Sequence, residues 1–371
     1  MDTEYILETL EQELKTFEHP RIIQLSCDKW ITSSAMQKTI RRGQVKLALR
    51  AGFTLWQQDR ASFWRRVHVM ACEDVGIASP DVVIKVLTAY AHPSWRAKRN
   101  DLLVGLYLIK LMCGADKTRV ADELLAITGN GIHLKRRREE FFFAENDTLA
   151  GIVLDTKQLL PERALALWLL AGTCIFPHDN LPIRKGDPKL AAELLTHLCE
   201  HKPLTKVSIA VMRRTQWPLA LFTPLVYQAI VQPPKGEHTE IIHDSNLDDA
   251  NIKGIPLTAI DQYTRVGKAV IRDLQSKVPD LKLFSTRQIG TGIFYTEGER
   301  LDKRLLSPRL DSIRQYAAFA DFEAAHSDVP SFIGLCSILS ENAPLIASIR
   351  KNKMRDYFQT QNDELSFGDG E

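Results

Sequence analysis

Apolar residues recur along most of this chain at the three- and four-residue spacing of a helix that buries one face. After Pro80 the set Val83, Val86, Leu87 and Tyr90 follows that spacing, and after Gln44 so does the set Val45, Ala48, Leu49, Gly52, Phe53 and Trp56. Ser79-Pro80 and Asp187-Pro188 each put an N-cap residue ahead of a proline, whose missing N–H costs nothing in a first helical turn. Past Pro188, the residues Leu190, Leu194, His197 and Leu198 line one side, while Pro161 opens the run ERALALWLLAG, which Gly172 is placed to close in a left-handed conformation. Alternating patterns are scarce. The best strand candidate, Ile289 to Thr296 (IGTGIFYT), has glycines that suit a loop equally. The pattern therefore predicts an all-α chain, a multi-helix bundle with at most a minor β hairpin.

Periodicity fails at Thr128-Gly129-Asn130-Gly131 and across 232–256, a stretch rich in Pro, Gly, Asp, Asn and His. These breaks divide the chain into helical regions 1–130, 131–235 and 236–360, and the acidic, polar residues 361–371 are expected to form a disordered tail.

Composition adds mostly exclusions. A chain of 371 residues exceeds what one core usually fills, and 44% apolar with 25% charged residues is an ordinary globular balance. With 48 basic against 46 acidic residues the net charge of +2 gives no global pull on nucleic acid, so any such contact must come from local clusters. The acidic, amphipathic start is unlike a signal peptide, and no apolar run reaches the ~20 residues of a membrane span, so a cytoplasmic location is expected. The six cysteines form no Cys-x-x-Cys pair, which fits reduced core thiols. His197 and His201 are four apart, but position 198 is Leu and no third ligand stands out; no metal and no cofactor are expected.

One segment carries a family pattern. Residues 34–80 contain Lys38, Ile40 and Arg41 at a helix end, Ala48 and Leu49 in the next helix, the pair Arg65-Arg66, and then Ala71, Glu73, Asp74, Val75, Gly76, Ala78 and Pro80. In that order they resemble the start of the C-terminal helical domain of the RarA (MgsA) family of replication-fork ATPases, relatives of the clamp loaders. The resemblance implies a clamp-loader-collar-like helical region in 1–130, a homo-oligomer (a tetramer in that family), and work beside single-stranded DNA-binding protein at stalled forks. Only about thirty residues precede the match and no Gly-x-x-x-x-Gly-Lys-Ser/Thr loop occurs, so the family's motor is missing from this sequence.

The same residues can be read without the family. Glu73 and Asp74 fall in a last helical turn, where the macrodipole disfavours negative charge, so arginines must hold them. Arg41, Arg42, Arg65 and Arg66 are the nearest, across a helix–helix or a subunit contact, with an intramolecular tie the simpler form. Elsewhere Lys135, Arg136, Arg137 and Arg138, with Arg96, Lys98 and Arg99, are the candidate DNA-contacting cations, against the alternative of an ordinary solvated helix face. Leu281, Leu283 and Phe284 resemble the peptide that docks in the bacterial sliding clamp, with Asp280 in place of its Gln; a core segment would look the same. Two functions follow: a non-enzymatic replication or repair accessory that oligomerises and binds DNA or a replisome protein, or a hydrolase acting on nucleic acid or nucleotide, with its site in 238–304 around His238, His243, Asp244, Asp261, Tyr263, Arg265 and Glu299.

Overall fold

The computed structural model describes residues 3–18, 20–231, 238–244, 247, 250–323 and 332–368. Among them the chain forms nineteen α-helices and two small antiparallel sheets, so the fold is all-α with minor hairpin elements. Strand β1 (Glu240–His243) pairs with β4 (Lys303–Leu306), and β2 (Asn251–Ile252) pairs with β3 (Ile255–Pro256). Lys253 and Gly254 turn the second pair with φ of 53° and 86°, the two positive values that a tight two-residue hairpin needs. No single helix among the described residues is long and apolar enough to cross a membrane.

The segment with the family pattern folds as consecutive packed helices: Lys29–Arg41, Val45–Gln58, Arg60–Met70 and Pro80–Ala91. Local chemistry sets their starts. The Asp28 carboxylate accepts from the N–H groups of Trp30 and Ile31, and Asp59 accepts from that of Ser62. Pro80 opens its helix as expected, although Ser79 contributes no side-chain cap. Asp187 caps the Pro188–Leu198 helix through Lys189 and Leu190. On that helix Ala191, Ala192 and Leu195 are buried and Leu190, Leu194 and Leu198 pack against the core beside them, whereas His197 is exposed.

Residues 289–296 are helical, not extended. Ser285 and Gln288 form a reciprocal capping box that starts the Thr286–Ile293 helix, which widens into a π-turn over Phe294–Gly298. Its glycines serve close packing: a Cβ on Gly290 would lie 2.2 Å from Gln262 Oε1, and one on Gly292 would lie 2.5 Å from Leu339. The Val120–Asn130 helix runs through the expected break and stops at Gly131. The Ala343–Gly368 helix continues its backbone into the expected tail, while 369–371 lie outside the described residues, as do 232–237 in the expected linker.

One contiguous apolar core extends from Ile6 to Phe358. The late strand β4 runs against the first third of the chain: Lys117 N–H donates to the Lys303 carbonyl (2.8 Å), and Leu305 N–H donates to the Lys117 carbonyl (2.8 Å). Lys117, fully buried, extends its ammonium to Asp302 (2.7 Å). This seam positions the site described next.

Candidate functional site

After Met70 the helix gains one residue per turn, forming a π-turn over Ala71–Val75. Such widened turns recur at functional sites because they re-aim side chains. Gly76 ends it at φ 56°, ψ −151°, a conformation open to glycine, and a Cβ there would meet the Thr118 carbonyl at 2.6 Å. The result swings Glu73 and Asp74 away from solvent toward the Lys29–Arg41 helix.

Asp74, with no exposed surface, accepts from Arg41 Nε (2.5 Å), Arg119 Nη1 (2.5 Å) and Gln37 Nε2 (3.0 Å). Glu73 Oε1 accepts from Gln37 Nε2 (2.8 Å), Arg41 Nη2 (2.8 Å) and Arg119 Nη1 (3.0 Å). Arg41 also donates to the Gly298 carbonyl (2.9 Å), and both guanidinium groups face the Phe294 ring, at 5.4 and 5.1 Å. Two acids, two arginines and an amide thus satisfy one another in the interior, the condition under which buried charge is tolerated.

Three more carboxylates flank this network. Asp122 pairs with Arg119 Nη2 and keeps 29% of its side-chain surface exposed. Asp321 accepts from Tyr295 Oη (2.7 Å) and Asn130 Nδ2 (3.1 Å). Asp261 accepts from Ser34 Oγ (2.7 Å) and from the buried Lys38 ammonium (3.0 Å). The exposed Tyr263 ring stands near these carboxylates. A cavity of about 20 Å³, room for one water, lies under Tyr263 between Lys38, Asp261, Glu297 and Arg350.

Of the three carboxyls on Arg119, Glu73 and Asp122 are driven in opposite directions. Burial works against ionising Glu73, but Arg119, Arg41 and Arg66 outweigh it and hold the group at about 2. Burial pushes Asp122 up to about 8; Glu73 and Asp321 add to that against the pull of Arg119. Glu123, buried and near Glu299, is pushed up to about 7. No group of three or more metal-ligating side chains occurs among the described residues.

Of the residues picked out in the sequence, Arg41, Glu73 and Asp74 meet here, inside one chain and not at an exposed subunit contact. Arg66 joins through Gln37 Oε1. Arg65 does not: it is exposed and donates to Ser62 Oγ (2.9 Å). Arg42 turns instead to Thr258 and the Glu297 carbonyl (2.8 Å). Gln37, Arg119, Asp122 and Phe294 were missed; Arg119 and Asp122 are a charged pair three apart beside an apolar run, the one signal that pointed to them.

The candidate DNA contacts are largely committed elsewhere. Arg96 is buried against Asp101 (3.0 Å) and stacked 3.7 Å from the Trp64 ring, so it has no face for a phosphate. Arg99 pairs with Glu11 (2.7 Å). Arg136 and Arg137 pair with Glu140, Arg137 also pairs with Glu162 (2.8 Å), and Arg138 donates to the Gly131 carbonyl (2.9 Å). Lys98 and Lys135 are exposed. In the clamp-like segment Leu281 and Phe284 are core residues whose carbonyls accept from Gln275 Nε2, and Leu283 alone points outward. That segment is a buried turn and cannot enter another protein's pocket without leaving its own core.

The proposed hydrolytic residues do not converge as a set. Asp261 and Tyr263 line the small cavity, but Glu299 is buried on Arg314 (2.7 Å) and Asp244 holds Arg300 (2.6 Å). His243 lies on β1, while His238 and Arg265 are exposed. His201 caps the Lys202–Met212 helix through Nδ1, so it does not share a helix with His197. No protein-family model, curated protein or solved structure matches this chain.

Proposed function

We propose that the protein is a cytoplasmic replication or repair accessory: a collar-like helical protein that self-associates and binds DNA or a replisome protein such as single-stranded DNA-binding protein. One observation supports the reading. Of the charged residues that carry the RarA resemblance, Arg41, Arg66, Glu73 and Asp74 meet in a single buried network, Lys38 lies beside it on Asp261, and only Arg65 stays outside. Because that network is internal, self-association must use other surfaces. A sliding-clamp contact through Leu281, Leu283 and Phe284 drops out. Light scattering on the eluting protein should give a mass above the 42.0 kDa monomer, and forked or single-stranded DNA should shift it with a salt-dependent affinity. A monomer indifferent to DNA would end this reading.

The hydrolase reading survives in altered form, on the strength of Glu73 and Asp122 sharing Arg119 with shifts in opposite directions. Its test is turnover of nucleotides or oligonucleotides that disappears in Asp122→Asn. Absence of turnover in the unaltered protein removes it.

A further inference from the structure

Arg163, near the start of the Leu160–Ala171 helix, is only 4% exposed, yet it pairs with no carboxylate among the described residues. Its Nε donates to the Val153 carbonyl (2.9 Å), and its buried Nη2 has no hydrogen-bond partner. Arg41, Arg96, Arg119 and Arg350 are about as deeply buried, and each of them grips an acid. The acids nearest Arg163 along the chain are committed elsewhere: Glu162 to Arg137 (2.8 Å), and Asp155 to the Lys157 N–H (3.0 Å) and the Gln158 amide (3.2 Å).

The neighbouring charge is instead a second cation. Burial, and after it Arg309, pulls the Arg163 guanidinium below the usual arginine range, with Asp155 the smaller, opposing influence. Arg309, half-buried at the start of the Pro308–Glu323 helix, donates to the Ala229 carbonyl (2.8 Å). Both arginines therefore stand in the opening turn of a helix, where the macrodipole is positive and disfavours a cation. A desolvated guanidinium with no acid, beside another of the same sign and at a positive helix end, lacks its counter-charge. The flanking backbone reaches solvent at Leu154, Leu159 and Pro308.

We propose that Arg163 and Arg309 bind the phosphate group of a phosphomonoester, with the orphaned Nη2 donating to a phosphate oxygen. Charge selects this ligand: a phosphomonoester carries close to two negative charges at neutral pH and matches two guanidinium groups, whereas a carboxylate or a phosphodiester brings one. This site is independent of the accessory reading.

The test is isothermal titration calorimetry of the full chain at fixed ionic strength. Inorganic phosphate should fill one site with Kd below ~1 mM, and glycerol phosphate should bind at least as tightly. Acetate and dimethyl phosphate should bind at least ~10-fold more weakly. Arg163→Met should abolish the phosphate heat, and Arg309→Gln, at a half-buried position, should weaken binding ~10-fold with circular dichroism unchanged, which keeps the test open if the first variant does not fold. Free phosphate binding without glycerol phosphate would overturn the ester assignment. Acetate binding equally well, affinity unchanged in Arg309→Gln, or no binding by the unaltered protein would overturn the site itself.

Discussion

The acids and arginines gathered at the Ala71–Val75 π-turn and those strung along the Lys135–Phe143 helix are both ion-paired, yet they stand in opposite relations to water. At the π-turn each carboxylate is shared by two guanidinium groups and a glutamine amide, and nothing but protein surrounds Asp74. On the outer helix Arg136 is 79% exposed, and its one partner, Glu140, is also open to solvent. The first arrangement cannot lose a member without stranding a charge in the interior; the second can dissolve into water at almost no cost. Density of charge in a sequence thus says little about consequence, which depends on how many partners each group has and on what replaces them.

Removing the centre of the buried set should produce the largest effect. Asp74→Ala is expected to destabilise the fold by about 3–5 kcal/mol in urea unfolding, because Arg41 and Arg119 are left with less charge than they carry. A loss under about 1 kcal/mol would mean water enters the seam and the contrast is false.

A smaller and pH-dependent effect is expected at Asp122, on the partly exposed rim of the network. Its carboxyl titrates at 3.8 when unperturbed and at about 8 when folded. Between those values the folded chain holds a proton that the unfolded chain has released, so the contribution to stability is complete below the lower value and vanishes as pH climbs through the upper one. Asp122→Asn should therefore gain on the unaltered protein as pH is raised from about 5 to about 9. Glu123, at about 7, leaves some slope in both. Parallel stability curves would refute the raised value. Least affected of all should be Arg136→Ala, which is expected to change unfolding free energy by no more than about 0.5 kcal/mol; a larger shift would place that helix in a different class from the one drawn here.

The helical architecture was legible because its causes are local. Pro80 and Pro188 mark starts, and the apolar spacing after Gln44 and Pro80 names the buried faces that the structure shows. At Ile289–Thr296 the reading failed because glycines were weighed for backbone freedom, when their use is to let Gln262 and Leu339 come close. Half of the buried network could be anticipated, since Glu73 and Asp74 sit at a helix end that needs cations. Arg119 stands 45 residues from Asp74, and Gly298 stands 257 from Arg41, separations with no periodic trace. The clamp-like segment misled for a related reason: five residues specify a shape, and Leu281 and Phe284 fit that shape equally well pointing into their own core.

The hydrogen bond from Arg41 to the Gly298 carbonyl has a bearing on how the chain is born. At ~5–20 residues per second a ribosome needs on the order of ten to fifty seconds to deliver the later partner after the earlier one has emerged. For that interval the first helices wait with a polar cleft that only the last quarter of the polypeptide can seal. Nascent chains halted before residue 298 should accordingly be clients of holding chaperones, and release from them should coincide with arrival of the seam strand.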